Sequence, residues 1–167
     1  MKRSQKGFTL IELIVYAAIL SLILLSTTLL YYTVSEAKRK NRITAEVESQ
    51  GIQLTEIITQ TVRNAKAINS PAVGATATTL SLQMAAAGVN PSLFTFGSNK
   101  LTITEGAGSA VDLNNDKVKL NNLIFENHSL ATTPGIINFS FDISYNNSSG
   151  NAKYDFSKKF YGAASIR

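Results

Sequence analysis

The sequence predicts an α+β fold in which one long N-terminal helix packs on a C-terminal antiparallel β-sheet. Three observations point there. Leu13 to Ser35 form a run of 23 residues with no charged side chain, no Gly and no Pro. From Ile43 to Ile68, apolar residues recur at three- and four-residue steps, the spacing of one helix face. Beyond Pro71 the period falls to two, and short alternating segments are separated by Gly, Asn, Asp and Pro.

The helix begins in the apolar run. A bilayer core about 30 Å thick needs roughly 20 apolar residues as a helix, so residues 8–35 can span it. The N-terminal position, the basic flank Lys2, Arg3 and Lys6, and the length of the run favour a membrane span over a buried helix. A cleaved secretory signal has a shorter apolar stretch, about 7 to 15 residues, followed by a small-residue cleavage site. Here the stretch is longer and no Ala-x-Ala pattern follows it. The one small residue placed for processing is Gly7, ahead of the run, and a cut there leaves the helix on the mature chain. Glu12 is the only charge between the leader and Glu36. An acidic side chain in a membrane helix is costly, about 2.5 to 3.5 kcal/mol at the centre and less near an interface, so it usually finds a partner.

Residues 36–70 read as an amphipathic continuation. Ile43, Val47, Leu54, Ile57 or Ile58, Val62, Ala65 and Ile68 form the stripe, Gly51 weakens it without a break, and Asn69-Ser70-Pro71 stops it because the residue before Pro is pushed out of the helical region. One helix from Phe8 to Ile68 is about 90 Å long.

Residues 71–167 read as the β domain. Ile137, Phe139, Phe141, Ile143 and Tyr145 alternate with polar residues, and Asn146 to Asn151 form a turn cluster. Ala152, Tyr154 and Phe156 resume the alternation, which predicts a hairpin. Leu80, Leu82 and Met84, then Leu101 and Ile103, then Val118 and Leu120 mark further strands, with a denser apolar run from Leu123 to Phe125. A sheet of four to six short strands with one apolar face needs a cover, and the Ile43–Ile68 stripe is available for it. Fewer than a hundred residues of β structure are marginal alone, so the docked helix completes the core.

Lys6-Gly7-Phe8-Thr9-Leu10-Ile11-Glu12, placed directly before a spanning run, resembles the class III signal of type IV prepilins and type II secretion pseudopilins. The resemblance covers about the first seventh of the chain. It implies the pilin fold, with residues 1–7 as a leader cut between Gly7 and Phe8 by a membrane prepilin peptidase. Phe8 is then the N-methylated terminus, and Glu12 the carboxylate used in filament assembly. After cleavage Phe8 would bear an α-amine with a reference pKa of about 7.7 to 8.0. Glu12 could meet that amine within one helix, one turn away, or across two staggered subunits, which is the family's arrangement. A third possibility is a carboxylate snorkelling at the headgroup boundary.

The implied partners are other pilin or pseudopilin subunits, the peptidase, a membrane assembly platform and the lipid bilayer. The implied location is the cytoplasmic membrane, single-pass with the N-terminus inside, then an extracytoplasmic filament or the cell surface. Charge alone does not settle topology, since Lys38, Arg39, Lys40 and Arg42 flank the far end of the span against Lys2, Arg3 and Lys6. That juxtamembrane cluster reads equally as a contact for phosphate headgroups and as a solvated helix face. The chain has no Cys, and the second half of the span has no Pro. Many major pilins have both, so the departures lean toward a minor pilin or a pseudopilin. Pilus, competence filament and type II secretion pseudopilus are not distinguished.

The formal charge of +5 comes largely from the leader's three cations; from Pro71 onward there are seven cations and six anions. A nucleic-acid partner is therefore not indicated, although Lys153, Lys158, Lys159 and Arg167 lie near Tyr154, Phe156, Phe160 and Tyr161. No catalytic constellation appears, so an enzyme is not expected. His128 is the only His and reads as a turn or surface residue. Asp112-Leu113-Asn114-Asn115-Asp116 resembles the first half of a calcium loop, with Asp112, Asn114 and Asp116 as oxygen donors. Lys117 stands where that loop needs Gly, and Leu123 where it needs the bidentate Glu. An Asx-rich turn is the favoured reading and no cofactor is expected. The expected function is a structural filament subunit. The alternative is a minor or tip subunit that binds DNA, a surface or a secretion substrate.

Overall fold

The computed structural model describes residues 7, 9–130, 135–148 and 150–167. The chain divides into two compact units, Met1–Asn41 and Arg42–Arg167. Helix α1 runs Leu10–Asn64. In the first unit its apolar side chains are exposed, from Leu10 at 79% to Val34 at 44%, and the segment is long and apolar enough to cross a membrane.

In the second unit α1 becomes one-sided. Ile43, Val47, Gly51, Leu54, Ile58 and Val62 are buried while their neighbours face outward, which is the predicted stripe. Burying each Val, Leu or Ile is worth about 1.5 to 3 kcal/mol, so this face holds the helix on the sheets.

The helix ends four residues before the predicted Ile68. Ala65–Ser70 instead form strand β1, paired antiparallel with β3 (Thr79–Met84) through Ala65↔Met84 and Ile68↔Leu82. Ala65 and Ile68 would continue the helical stripe, but β1 packs both toward the core and finds its backbone hydrogen bonds on β3. Pro71 thus follows a strand, not a helix.

The predicted single sheet is two. One has the order β1-β3-β4-β5-β6, where β4 is Ser92–Gly97, β5 is Lys100–Glu105 and β6 is Val111–Asp112. The other has the order β2-β7-β8-β9, where β2 is Thr76–Ala77, β7 is Val118–Asn127, β8 is Ile136–Tyr145 and β9 is Ser157–Ser165. A helix about 10 Å across covers only about two strands at their spacing of about 4.8 Å, so one flat layer would leave most inner faces bare. Two sheets sharing a core remove that exposure. Leu80, Leu82, Phe94 and Leu101 from the first meet Leu120, Phe125, Phe139 and Phe141 from the second, together with Val47, Leu54, Ile58 and Val62 of α1. The Phe94 and Phe125 rings, 6.4 Å apart, join the two sheets.

Val118-Leu120 and Leu123-Phe125 belong to one strand. Asn122 adopts a positive φ of 52°, the pairing with β8 shifts between Asn121 and Ile124, and the buried positions change from even to odd. Such a bulge moves the apolar set to the other pleat and keeps it facing inward.

The predicted hairpin is present as β8 and β9, from Ser144↔Ser157 to Ile136↔Ser165. Its second arm starts at Ser157, because Ala152–Tyr154 form a short 3-10 helix. Along β9 the inward residues are Phe160, Gly162 and Ala164, and Lys158, Lys159 and Tyr161 lie on the same strand. Gly162 is small by necessity, since a Cβ there would collide with the Phe139 ring.

Gly51 has the same role on α1: a Cβ there would enter the ring of Phe160. Gly51→Leu is expected to destabilise the second unit by about 1 to 3 kcal/mol through overpacking, despite a gain of up to about 1 kcal/mol in helix propensity. Combining it with Phe160→Ala should recover part of the loss. Urea unfolding of a chain beginning near residue 36 measures this, and strictly additive effects would show that the two positions do not meet.

Candidate functional site

The N-terminal stretch is built around the start of α1. Gly7 is exposed, with open space around the position a Cβ would take. Phe8 and leader residues 1–6, Lys2, Arg3 and Lys6 among them, lie outside the described residues. Thr9 caps the helix. Its backbone N–H donates to Glu12 Oε2 at 3.0 Å and its hydroxyl donates to the same oxygen at 2.9 Å. The Glu12 N–H in turn donates to Thr9 Oγ1 at 3.4 Å. This is a capping box, in which residues three apart satisfy each other's orphan groups at a helix start. The partner expected for Glu12 is the Phe8 amine; its partner among the described residues is Thr9. The signal was present in the spacing Thr9-Leu10-Ile11-Glu12.

Glu12 is otherwise set among apolar side chains: with Ile11, Val15 and Tyr16 it lines a shallow depression of about 160 Å³. Both hydrogen bonds it accepts from Thr9 fall on Oε2, and among the described residues Oε1 accepts none. The carboxylate is therefore half engaged. One oxygen closes the helix and the other is open to a donor.

Further along the apolar segment, Ser21, Ser26, Thr27, Thr28 and Thr33 return their hydroxyls to carbonyls three or four residues back, at 2.7 to 3.0 Å. A hydroxyl satisfied by its own helix can face lipid without an unpaired polar group. Lys38, Arg39, Lys40 and Arg42 follow on α1, all exposed.

The calcium-loop residues are placed differently from an ion cage. Asp112 and Asp116 both reach the Lys100 ammonium, at 2.5 and 2.9 Å. Hydrogen bonding to Asp112 first and Asp116 second holds that ammonium above its ordinary lysine value. Asn114 is buried and braces the loop: its Oδ1 accepts from the Leu101 N–H at 2.9 Å, and its Nδ2 donates to the carbonyls of Asn99 and Val118. Asn115 ties the loop to α1 by donating from Nδ2 to Glu46 Oε1 at 2.7 Å. Among the described residues no three His, Cys, Asp or Glu side chains cluster as a metal site.

Lys158 and Lys159 are engaged separately. Lys158 pairs with Glu48 of α1 at 2.5 Å and lies over Phe160, whose ring belongs to the core, while Lys159 lies over Tyr161. His128 is exposed beside Glu126, with Nε2 3.1 Å from Oε2.

Residues 2–28 match the family model described as the prokaryotic N-terminal methylation motif. The chain thus carries the class III signal peptide of type IV pilins and pseudopilins, and the motif supports a precursor of that kind, processed by a prepilin peptidase. Among curated proteins and among solved structures nothing matches the chain.

Proposed function

We propose that the chain is a structural subunit, a minor pilin or a pseudopilin, of a type IV pilus-like filament. In this reading the apolar part of α1 anchors the precursor in the cytoplasmic membrane with its leader inside and the β domain outside. The peptidase cuts between Gly7 and Phe8 and Phe8 is methylated. The mature subunit then joins its neighbours through α1 and Glu12, on a membrane assembly platform. The role is structural, with no catalytic step and no cofactor.

One observation carries the reading. The segment matched by the methylation motif takes in the first part of α1, where apolar side chains lie exposed with a single carboxylate at their head. A surface of that kind requires lipid or other helices around it. The Glu12 oxygen left open by Thr9 suits a cationic partner such as the α-amine released at Phe8, either within the subunit or on the next one. The basic run Lys38 to Arg42 suits the headgroup layer at the outer end of the span.

Mass spectrometry of the mature N-terminus tests the proposal in cells that make the peptidase. A methylated Phe8 terminus is expected. Gly7→Ala should be partly processed, and Gly7→Leu should accumulate as intact precursor in the membrane. A terminus at any other residue, or an intact leader in the wild-type protein, overturns it.

A further inference from the structure

The outer face of the β2-β7-β8-β9 sheet carries a groove that neither the core nor the filament reading uses. Its walls and floor come from three adjacent strands in two rows, Ile124–Ser140–Tyr161 and Glu126–Asn138–Ala163. The groove encloses about 510 Å³, within the range of about 300 to 1,000 Å³ typical of small-molecule sites.

Two features mark it as more than a dip in a sheet. The first is its aromatic wall. The Tyr161 side chain is 70% exposed. Lys159, two residues back on the same pleat, holds its ammonium 5.3 Å from the ring centroid. Ala163, two residues forward, is too short to cover the ring, so the space opens on that side. Ile124, 41% exposed, stands across the groove on β7.

The second is its floor. Along β8 the outward polar side chains beyond the groove are engaged: Asp142 accepts from Asn122 at 2.8 Å, and Ser144 accepts from Asn121 at 3.1 Å. Within the groove, the Asn138 amide and the Ser140 hydroxyl make no side-chain hydrogen bond among the described residues. Glu126 stands on the rim beside His128.

We propose that this groove binds a neutral saccharide. A pyranose ring has one apolar C–H face and a periphery of hydroxyls. The Tyr161 ring stacks on that face and Ile124 closes the opposite side. Asn138, Ser140 and Glu126 then exchange hydrogen bonds with the hydroxyls. Other ligands fit this lining less well. An apolar peptide side chain would cover the Asn138 and Ser140 polar groups without pairing them, which costs free energy. An anion would meet the Glu126 carboxylate, and Lys159, the cation beside the aromatic wall, is set over the Tyr161 ring and opposite Asp142 on β8.

The test uses the full chain in phosphatidylcholine nanodiscs, free of glycoside detergents, with cellotetraose and tetra-N-acetylchitotetraose as probes. Saturation-transfer NMR should show binding of at least one probe, with a Kd of about 1 mM or lower. Tyr161→Ala should weaken it about tenfold, Tyr161→Phe should stay within about threefold of wild type, and Ala163→Leu, which fills the groove, should remove it. Both positions are exposed, so circular dichroism is expected to be unchanged. The proposal is overturned if neither probe binds up to about 10 mM, or if Tyr161→Ala and Ala163→Leu bind as wild type does.

Discussion

Glu12→Ala is expected to yield a chain that enters the membrane and is cut after Gly7 but does not appear in filaments. The two carboxylate oxygens have different surroundings. Through Oε2 Glu12 accepts from the Thr9 N–H and hydroxyl and closes the start of α1, a cap worth about 0.5 to 2 kcal/mol. Through Oε1 it is open to a cation, which in the proposed filament is the Phe8 amine. Truncating one partner of a desolvated charge pair costs about 2 to 5 kcal/mol, because the other charge is left alone. Repeated at each subunit contact, that loss outweighs the cap and stops assembly. Two further variants divide the duties. Glu12→Gln keeps an oxygen acceptor for Thr9 and loses the charge, whereas Thr9→Ala loses the hydroxyl and keeps the carboxylate. Sheared filaments quantified against membrane-bound mature protein should show Glu12→Gln nearly as defective as Glu12→Ala, and Thr9→Ala milder than both. Wild-type filament yield from Glu12→Ala would remove Glu12 from assembly altogether.

The elements that could be read from sequence are those in which one physical requirement dominates. A span of lipid needs length and apolarity, and Leu13 to Ser35 have both. A helix face against a sheet needs a 3.6-residue period, which Ile43 to Val62 keep. The β8–β9 hairpin shows in the alternation of Ile137 to Tyr145. Where two requirements are met by the same residues, sequence does not choose between them. Ala65 and Ile68 suit the last turn of a helix as well as a strand, and pairing with β3 decides for the strand. The division into two sheets depends on contacts distant in sequence, such as Phe94 with Phe125 and Thr76 with Glu126. The strand that carries Lys158 and Lys159 is hard to read in sequence because it is lined inside by Gly162 and Ala164, residues too small to announce a buried face. Gly51, a weakness by helix propensity, is the recess that receives Phe160. At the N-terminus, Gly7 and Glu12 stood out from local pattern alone, while the Thr9 cap is a matter of geometry three residues apart.

Phe141→Ala should be among the most damaging single substitutions in the second unit. Phe141 is fully buried on β8, its ring 6.3 Å from that of Phe139 and nearly parallel to it, and 5.6 Å from that of Phe160 on β9. Removing a buried Phe side chain costs about 3 to 5 kcal/mol, the high end applying where the surroundings cannot collapse. Here collapse is opposed from two sides. Phe139 is seated over Gly162 and Phe160 over Gly51, so neither ring can move into the cavity without leaving the recess that holds it. Since Phe160 is also a contact between β9 and α1, its displacement would loosen the helix from the sheet. Against a total stability of about 5 to 15 kcal/mol for a domain of this kind, a loss of that size is a large fraction. Urea unfolding of the chain beginning near residue 36 should show a lower midpoint with an unchanged slope, as expected when stability falls without a change in the area exposed. Tyr161→Ala, one residue beyond Phe160 on the opposite pleat, is the internal control and should stay within about 0.5 kcal/mol of wild type. A Phe141→Ala loss below about 1 kcal/mol would mean that the rings repack freely and that Gly51 and Gly162 do not hold them in place.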